Sequence, residues 1–411
     1  MSNSARPRFL GIVEYSLVFV GDMLPYGVVL LLTIAVGYSL GLKDAGILSL
    51  AYAYVALVTA LVCGPNLLSL RRRMPLADSR SAVVFAGLVL RTIVISVGAA
   101  MVLFCVSVTD VDGRPEFVRL IAYFFLGRLL ETAIDAPVTS LQYARGGRAY
   151  FLLRVVVFFV ISGITGLGVL TADDHGVDWI ILWYVFGSAV GLLVALKGSF
   201  SSLGPIKGFS LEIRGQAAEF GRFFLATAIF LLASRVHPLV IEHLSGAEMA
   251  GKFALVQTLF SVLGLAATGI AGVFFWSWNR QDGVRSGLGV PWCSIVSGAI
   301  LGLLLGVVGA LIIDFLFLRP LRSPLELRQA AWILSMATPL LLVQAMLSNL
   351  LVLRLRDSEM LRLSALNAIG GIVLIVIFVE IFGVVGAALS VMGAASLSVM
   401  LGIFFVRGIN A

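Results

Sequence analysis

The chain has 411 residues, 60% of them hydrophobic and 12% charged, with a formal net charge of +7. A soluble domain carries roughly 25% charged residues, and no water-soluble fold of this length can bury so large an apolar share. The composition specifies an all-α polytopic membrane protein. Its basic surplus lies between apolar runs, which assigns it to topology and to contact with membrane lipids, not to nucleic acid.

The N-terminus, Met1 to Arg8, is short and polar. The apolar run after it is too long for a cleaved signal peptide and reads as the first spanning helix. Apolar runs at 9–40, 45–70, 81–109, 116–143, 150–171, 177–199, 217–243, 250–276, 291–318, 327–353, 359–381 and 383–406 predict about twelve spans. The last two are separated by a tight turn near Glu380 and Gly383. The longest connection, 201–216, holds Gly204-Pro205. It divides the chain into an N-terminal six-helix bundle (1–200), a cytoplasmic linker and a C-terminal six-helix bundle (217–411), expected to surround a central cavity.

Ionisable groups at bilayer depth cost several kcal/mol unless paired or wet, so their positions are informative. In helix 1, Tyr15, Asp22, Tyr26 and Thr33 fall within about 40° of one another at 100° per residue. Pro25, one turn above Asp22, frees a backbone carbonyl. Such a stripe suits a cavity wall or moving element, or a bond from Asp22 to a neighbouring helix. Arg91 in helix 3 is expected to snorkel to the cytoplasmic edge.

Helix 4 carries Arg128, Thr132, Asp135, Thr139 and Gln142 as one stripe, with Glu131 on its flank. Arg128 and Glu131 are i,i+3; Glu131 and Asp135 are i,i+4. The set fits either a self-neutralising packing cluster or a site where Arg128 binds phosphate and the acids exchange as partners. Helix 7 supplies Arg235 and Glu242 on one face, and His237 before Pro238 on the other. Arg235 fits a headgroup contact or a snorkelling side chain, and His237 a proton carrier or a packing residue.

Gly298, Gly302 and Gly306 in helix 9 have the spacing of a close helix contact. Trp276, Trp278 and Trp292 are expected in an interfacial aromatic belt, and Arg71-Arg72-Arg73 at the cytoplasmic face. Cys63, Cys105 and Cys293 form no disulfide framework or thiolate site. His175, His237 and His243 lack zinc-ligand spacing. No metal, bound cofactor or catalytic residue is expected.

With the N-terminus inside, nineteen Lys and Arg fall in inside segments. Seven fall outside: Lys43, Arg114, Arg119, Lys252, Arg319, Arg322 and Arg328. Both termini are expected to be cytoplasmic, with Asp173-Asp174 outside. The turn Leu42-Lys-Asp-Ala-Gly46 leads into helix 2 as Ala247-Glu-Met-Ala-Gly251 leads into helix 8. Arg145-Gly-Gly-Arg148 likewise matches Arg354-Leu-Arg356. A similar offset in both cases suggests two parallel six-helix repeats.

Gly41-Leu-Lys-Asp-Ala-Gly46-Ile-Leu-Ser-Leu-Ala51 resembles the helix 1–2 turn of polysaccharide flippases in the multidrug/oligosaccharidyl-lipid/polysaccharide exporter superfamily. Phe382-Gly-Val-Val-Gly386-Ala-Ala-Leu-Ser390 resembles their G-x-x-G-A-A start of helix 12. The resemblance implies movement of an undecaprenyl-pyrophosphate-linked oligosaccharide from the cytoplasmic to the periplasmic leaflet by alternating access. Helices 1, 2, 7 and 8 would form lateral gates. It further implies a cell inner membrane location, a role in O-antigen or lipopolysaccharide export, and polysaccharide polymerase machinery as partner. Arg128 and Arg235 would contact the cargo head in turn. Where the best-known cell-wall-precursor members carry helix 1 arginines, this chain has Glu14 and Asp22. Drug-exporting relatives bind cations in helix 1, which makes Asp22 the candidate for coupling to a proton or sodium ion.

Other readings remain. The major-facilitator signature is absent from the helix 2–3 loop, Leu70-Arg-Arg-Arg-Met-Pro-Leu-Ala-Asp78. A cation-coupled drug exporter of the same superfamily rests on Asp22. A glycan polymerase or acyltransferase would need a larger outer loop, or a His/Asp or Ser/His set at catalytic spacing. A scaffold without transport activity is the remaining reading.

Overall fold

The computed structural model describes residues 6–74, 79–108, 115–172, 176–235, 237–278, 291–353 and 357–407. Among them there is no β-strand. The helices are α1 (Arg6–Ser39), α2 (Leu42–Arg73), α3 (Arg80–Val108), α4 (Pro115–Ala133), α5 (Asp135–Arg145), α6 (Gly147–Leu170), α7 (Gly176–Ser199), α8 (Phe209–Arg235), α9 (His237–Ser245) and α10 (Ala247–Trp278). After them come α11 (Trp292–Ile312), which continues into a π-helical turn at Ile313–Leu318, α12 (Leu325–Met336), α13 (Thr338–Leu353) and α14 (Asp357–Arg407). Taking α4 with α5, α8 with α9 and α12 with α13 as single broken spans, and α14 as two, gives the twelve expected helices.

Nine segments among the described residues are long and apolar enough to cross a membrane. The last, Arg362–Arg407, has 46 residues and would be about 69 Å long if straight, twice the thickness of a hydrocarbon core. It folds back at Gly383, whose φ of 56° and ψ of −131° are not helical. A Cβ at Gly386 would run into the carbonyl of Phe378, so the hairpin closes only with glycine there.

The chain divides into two compact units, residues 1–231 and 232–411. In the first, α6 packs on α7 and α1, α4 on α7 and α2, and α2 on α3. In the second, α13 packs on α10, α11 and α14, and α9 on α10 and α14. Residues expected in or just after the linker are tied to the first unit. Glu212 and Glu219 both pair with Arg73, at 3.2 and 3.1 Å, and Gln216 donates to the Val83 carbonyl at 2.8 Å.

The interruptions recur at an offset near 205 residues, as an internal repeat would give. Gly41 (φ 102°) precedes α2 and Gly246 (φ 85°) precedes α10. Gly176 (φ 68°) opens α7, and Gly383 (φ 56°) folds α14. The α4–α5 break at Ile134 corresponds to the α12–α13 break at Ala337. Each is followed by a proline, Pro137 or Pro339, which removes a helix donor and crowds the preceding turn. The proposed counterpart turn Arg354–Arg356 lies outside the described residues.

Outward-facing positions are apolar: Met101, Phe104, Phe159, Leu170 and Leu193 are each more than 60% exposed, as expected of surfaces against lipid tails. The glycine row in α11 makes the close contact its spacing implies, since a Cβ at Gly302 would lie 2.7 Å from Pro339 Cα. Trp278 departs from the expected belt. It is fully buried with Leu347, Leu350 and Leu363, because α10 packs against α13 and α14 there. Trp292 lies under the Arg407 guanidinium, at 5.2 Å; the Trp276 side chain is outside those described.

Candidate functional site

Sequence periodicity treats Arg128, Glu131 and Asp135 as parts of one helix. The chain instead breaks at Ile134, where Pro137 cannot donate to the turn before it. Arg128 and Glu131 stay together at the end of α4, with Arg128 Nη1 2.5 Å from Glu131 Oε2. Tyr184 of α7 donates its hydroxyl to the same oxygen, and its ring stacks on Phe124 with centroids 5.5 Å apart. Gly127 makes room for that ring, since a Cβ there would enter it. The Arg128 guanidinium carbon lies 5.9 Å from the Tyr52 ring centroid on α2.

Asp135 begins α5 and points elsewhere. Its Oδ2 accepts from Arg91 Nη1 at 2.9 Å, and its Oδ1 from Arg154 Nη2. Arg91 also donates to the carbonyl of Thr132, at the end of α4. The snorkelling expected of Arg91 is therefore overturned: it is 1% exposed, because Asp135 and a carbonyl at the helix break replace the water it would otherwise seek. Arg154 further donates through Nε to the Tyr150 hydroxyl at 3.2 Å, and that hydroxyl donates to Asp22 on α1. Gly21 lets α1 come this close, as a Cβ there would sit 2.8 Å from the Tyr150 ring.

Three arginines (91, 128, 154) thus face three carboxylates (22, 131, 135) inside the first unit. Their formal charges cancel, which is the condition for holding six ionisable groups at membrane depth. The two clusters border a common cavity of about 10 Å³, lined by Glu131, Ile134 and Arg154 with Leu24, Pro25, Val28, Val157, Phe158 and Ile161. It is near the size of one water. Glu131 Oε1 and Arg128 Nε are buried and make no hydrogen bond among the described residues. The cluster is charge-balanced but not saturated, so an incoming anion could take an arginine from its carboxylate.

The other candidates do not join it. Of the helix 1 stripe, Asp22 joins the network and Tyr26 lies near Arg128, while Thr33 is buried and the Tyr15 side chain is outside those described. The Arg235 side chain is also outside the described residues. His237, in the second unit, is 3% exposed and lies against Phe253 with centroids 6.4 Å apart. Neither ring nitrogen has a hydrogen-bond partner among the described residues. No group of three metal-ligating side chains occurs among those residues.

Arg91, Arg154, Tyr150 and Tyr184 were not singled out as site candidates by sequence reasoning. Depth offered a signal for the first: Arg91 lies about 16 Å along α3 from Arg80, near the middle of a 30 Å core. Arg154 counts among the nineteen inside Lys and Arg by its place in the sequence, although it lies about 10 Å into α6. The tyrosines carried no separate signal, because an aromatic in an apolar run reads as packing.

No protein-family model and no curated protein sequence matches the chain. Solved structures do. The lipid II flippase MurJ in an inward closed conformation aligns with a TM-score of 0.69 at 11% identity, covering 95% of this chain and 87% of that one. An inward-facing multidrug resistance MATE family transporter of the MOP superfamily aligns with a TM-score of 0.69 at 14% identity, covering 94% and 95%. A eukaryotic MATE transporter reaches 0.67 at 12% identity, covering 98% and 95%. The chain therefore shares the fold of these solved structures, in keeping with the sequence resemblance.

Proposed function

We propose that the chain is a flippase that carries a polyprenyl-pyrophosphate-linked oligosaccharide from the cytoplasmic to the periplasmic leaflet for surface polysaccharide export. A pyrophosphate and a glycan cannot cross hydrocarbon unaided, since each unpaired polar group costs several kcal/mol. One observation carries the choice of an anionic cargo: Glu131 and Asp135 are held directly by arginines, and Asp22 is connected to Arg154 through Tyr150. A site awaiting a cation would present its carboxylates bare. Arginines held by carboxylates instead offer guanidinium forks that a phosphate can take over. The lipid tail would stay in the bilayer while the head passes through. In this reading the protein lies in the cell inner membrane with both termini cytoplasmic, and a polysaccharide polymerase acts on its product.

The test is depletion of the protein, followed by mass analysis of polyprenyl-linked saccharides and leaflet assignment by glycosidase access. An intact repeat unit accumulating on the cytoplasmic face is the expected result. Repeat units that reach the outer face unpolymerised, or no change in any lipid-linked saccharide, would overturn the reading.

Cation-coupled drug export is the second reading, favoured by Asp22 on a proline-containing helix. It predicts that Asp22→Asn abolishes proton- or sodium-driven efflux of organic cations.

A further inference from the structure

Three of the seven Lys and Arg that the charge bias places outside lie within the ten residues from Arg319 to Arg328. In the second unit, this segment, the turn after α11, Gln329, Trp332 and Ile333 of α12 and Val385 of α14 line an open cavity of about 580 Å³, within the range of small-ligand sites. It is separate from the α4–α7 network. At its base lies Asp314, 1% exposed, inside the π-helical turn Ile313–Leu318. Such turns interrupt the regular ladder and often occur at functional sites.

Arg328 grips both oxygens of Asp314, Nε to Oδ1 at 2.6 Å and Nη2 to Oδ2 at 3.0 Å, and the Trp332 indole donates to Oδ2 at 3.4 Å. Arg319 makes the looser contact, with Nε 3.3 Å from Oδ2, and is about half exposed. Its guanidinium carbon lies 3.8 Å from the Phe315 ring centroid. The turn behind it is closed by Arg322, the one non-glycine with positive φ (51°) among the described residues, and by Ser323 N–H donating to the Leu318 carbonyl at 3.0 Å. Two guanidiniums against one carboxylate leave a surplus positive charge. Arg319 is the guanidinium free to take a second acceptor.

The cavity also has an apolar side: Leu325, 66% exposed, with the partly exposed Ile333 and Val385. A cationic donor beside exposed apolar side chains, at the end of spanning helices, matches a lipid with a phosphate head and hydrocarbon tails. We propose that this cavity binds the phosphate of an anionic phospholipid, with Arg319 donating to the phosphate, Arg328 and Asp314 holding the cavity open, and Leu325, Ile333 and Val385 receiving the acyl chains. A free phosphate shares the head chemistry but gains nothing from the apolar side.

The test uses the intact protein purified in detergent and supplied with phosphatidylglycerol or phosphatidylcholine, with retained lipid counted by native mass spectrometry. Wild-type protein should retain phosphatidylglycerol preferentially, and Arg319→Gln should lower that preference about fivefold, the worth of one interfacial arginine. Leu325→Ser, at an exposed position that spares the fold, should also weaken retention. Arg322→Gln, on the same turn but outside the cavity lining, should not. Inorganic phosphate in excess should fail to displace the lipid. Unchanged preference in both Arg319→Gln and Leu325→Ser would overturn the proposal. Displacement by phosphate would overturn it in favour of a free-anion site.

Discussion

Asp22 on α1 and Asp135 on α5 share one cation: Arg154 binds Asp135 directly and reaches Asp22 through the Tyr150 hydroxyl. The first helix is thereby joined to α5 and α6, more than a hundred residues on, through a single guanidinium. Any motion of α1 away from α6 must break the Tyr150–Asp22 bond, and the charges at both ends need compensation when it does.

Removing that guanidinium should be costly. Arg154→Gln leaves Asp135 with Arg91 alone, and breaking a buried pair costs about 3–5 kcal/mol. In detergent the variant should unfold at a clearly lower temperature. Asp135→Asn in the same chain should recover part of the loss, with a coupling of about 1–3 kcal/mol. Additive effects of the two changes would show that the pair is not energetically linked.

The Tyr184 hydroxyl and the Gly127 backbone should act on the same bond. Tyr184→Phe removes a donor from buried Glu131, at about 1–3 kcal/mol. Gly127→Ala inserts a methyl where the ring lies, at a similar cost of about 1–3 kcal/mol. Because both displace one contact, the double variant measured by thermal unfolding should be less destabilised than the sum.

Arg128 distinguishes a guanidinium fork from a simple positive charge. If the cargo head is a pyrophosphate, Arg128→Ala should reduce export at least about tenfold, while Arg128→Lys, which keeps the charge but loses the planar donors, should recover it only in part. Export is read as surface polysaccharide per unit of membrane-localised protein. Full activity in both variants would remove Arg128 from the transport path.

Two exposed cysteines report orientation. Cys105 lies near the end of α3 and Cys293 at the start of α11. With Cys63 replaced by serine, a membrane-impermeant maleimide added to intact cells should label Cys105 and not Cys293. Permeabilisation should expose Cys293. The reverse pattern would invert the topology drawn from the Lys/Arg count.

The fold was legible because membrane helices announce themselves by length and hydropathy, and their turns by glycine. The turns at Gly41, Gly246 and Gly383 could all be anticipated from neighbouring residues. The site was legible in composition but not in pairing. Arg128 with Glu131 follows from i,i+3 spacing, a local property. Asp135 was tied to the same helix until Pro137 broke it, and its partners Arg91 and Arg154 come from helices on either side in sequence. Which neighbour a buried charge meets is decided by tertiary packing, to which periodicity is blind. Trp278 failed for the same reason: amphipathic character favours an interface, but a buried seat between α10, α13 and α14 outweighed it.

The broken fourth span bears on how the protein is made. Arg128, Glu131 and Asp135 would each oppose insertion of an isolated segment by about 2.5–3.5 kcal/mol at mid-membrane, and this span is not among the nine segments apolar enough to cross by composition. Its compensating charges arrive at different times during synthesis, Arg91 before it and Arg154 after. Without Arg154 the acids Asp22, Glu131 and Asp135 outnumber Arg91 and Arg128, so stable insertion of the span is expected to depend on α6. A nascent chain stopped before Gly147 should leave it accessible to water-soluble reagents, whereas one extended beyond Leu170 should not.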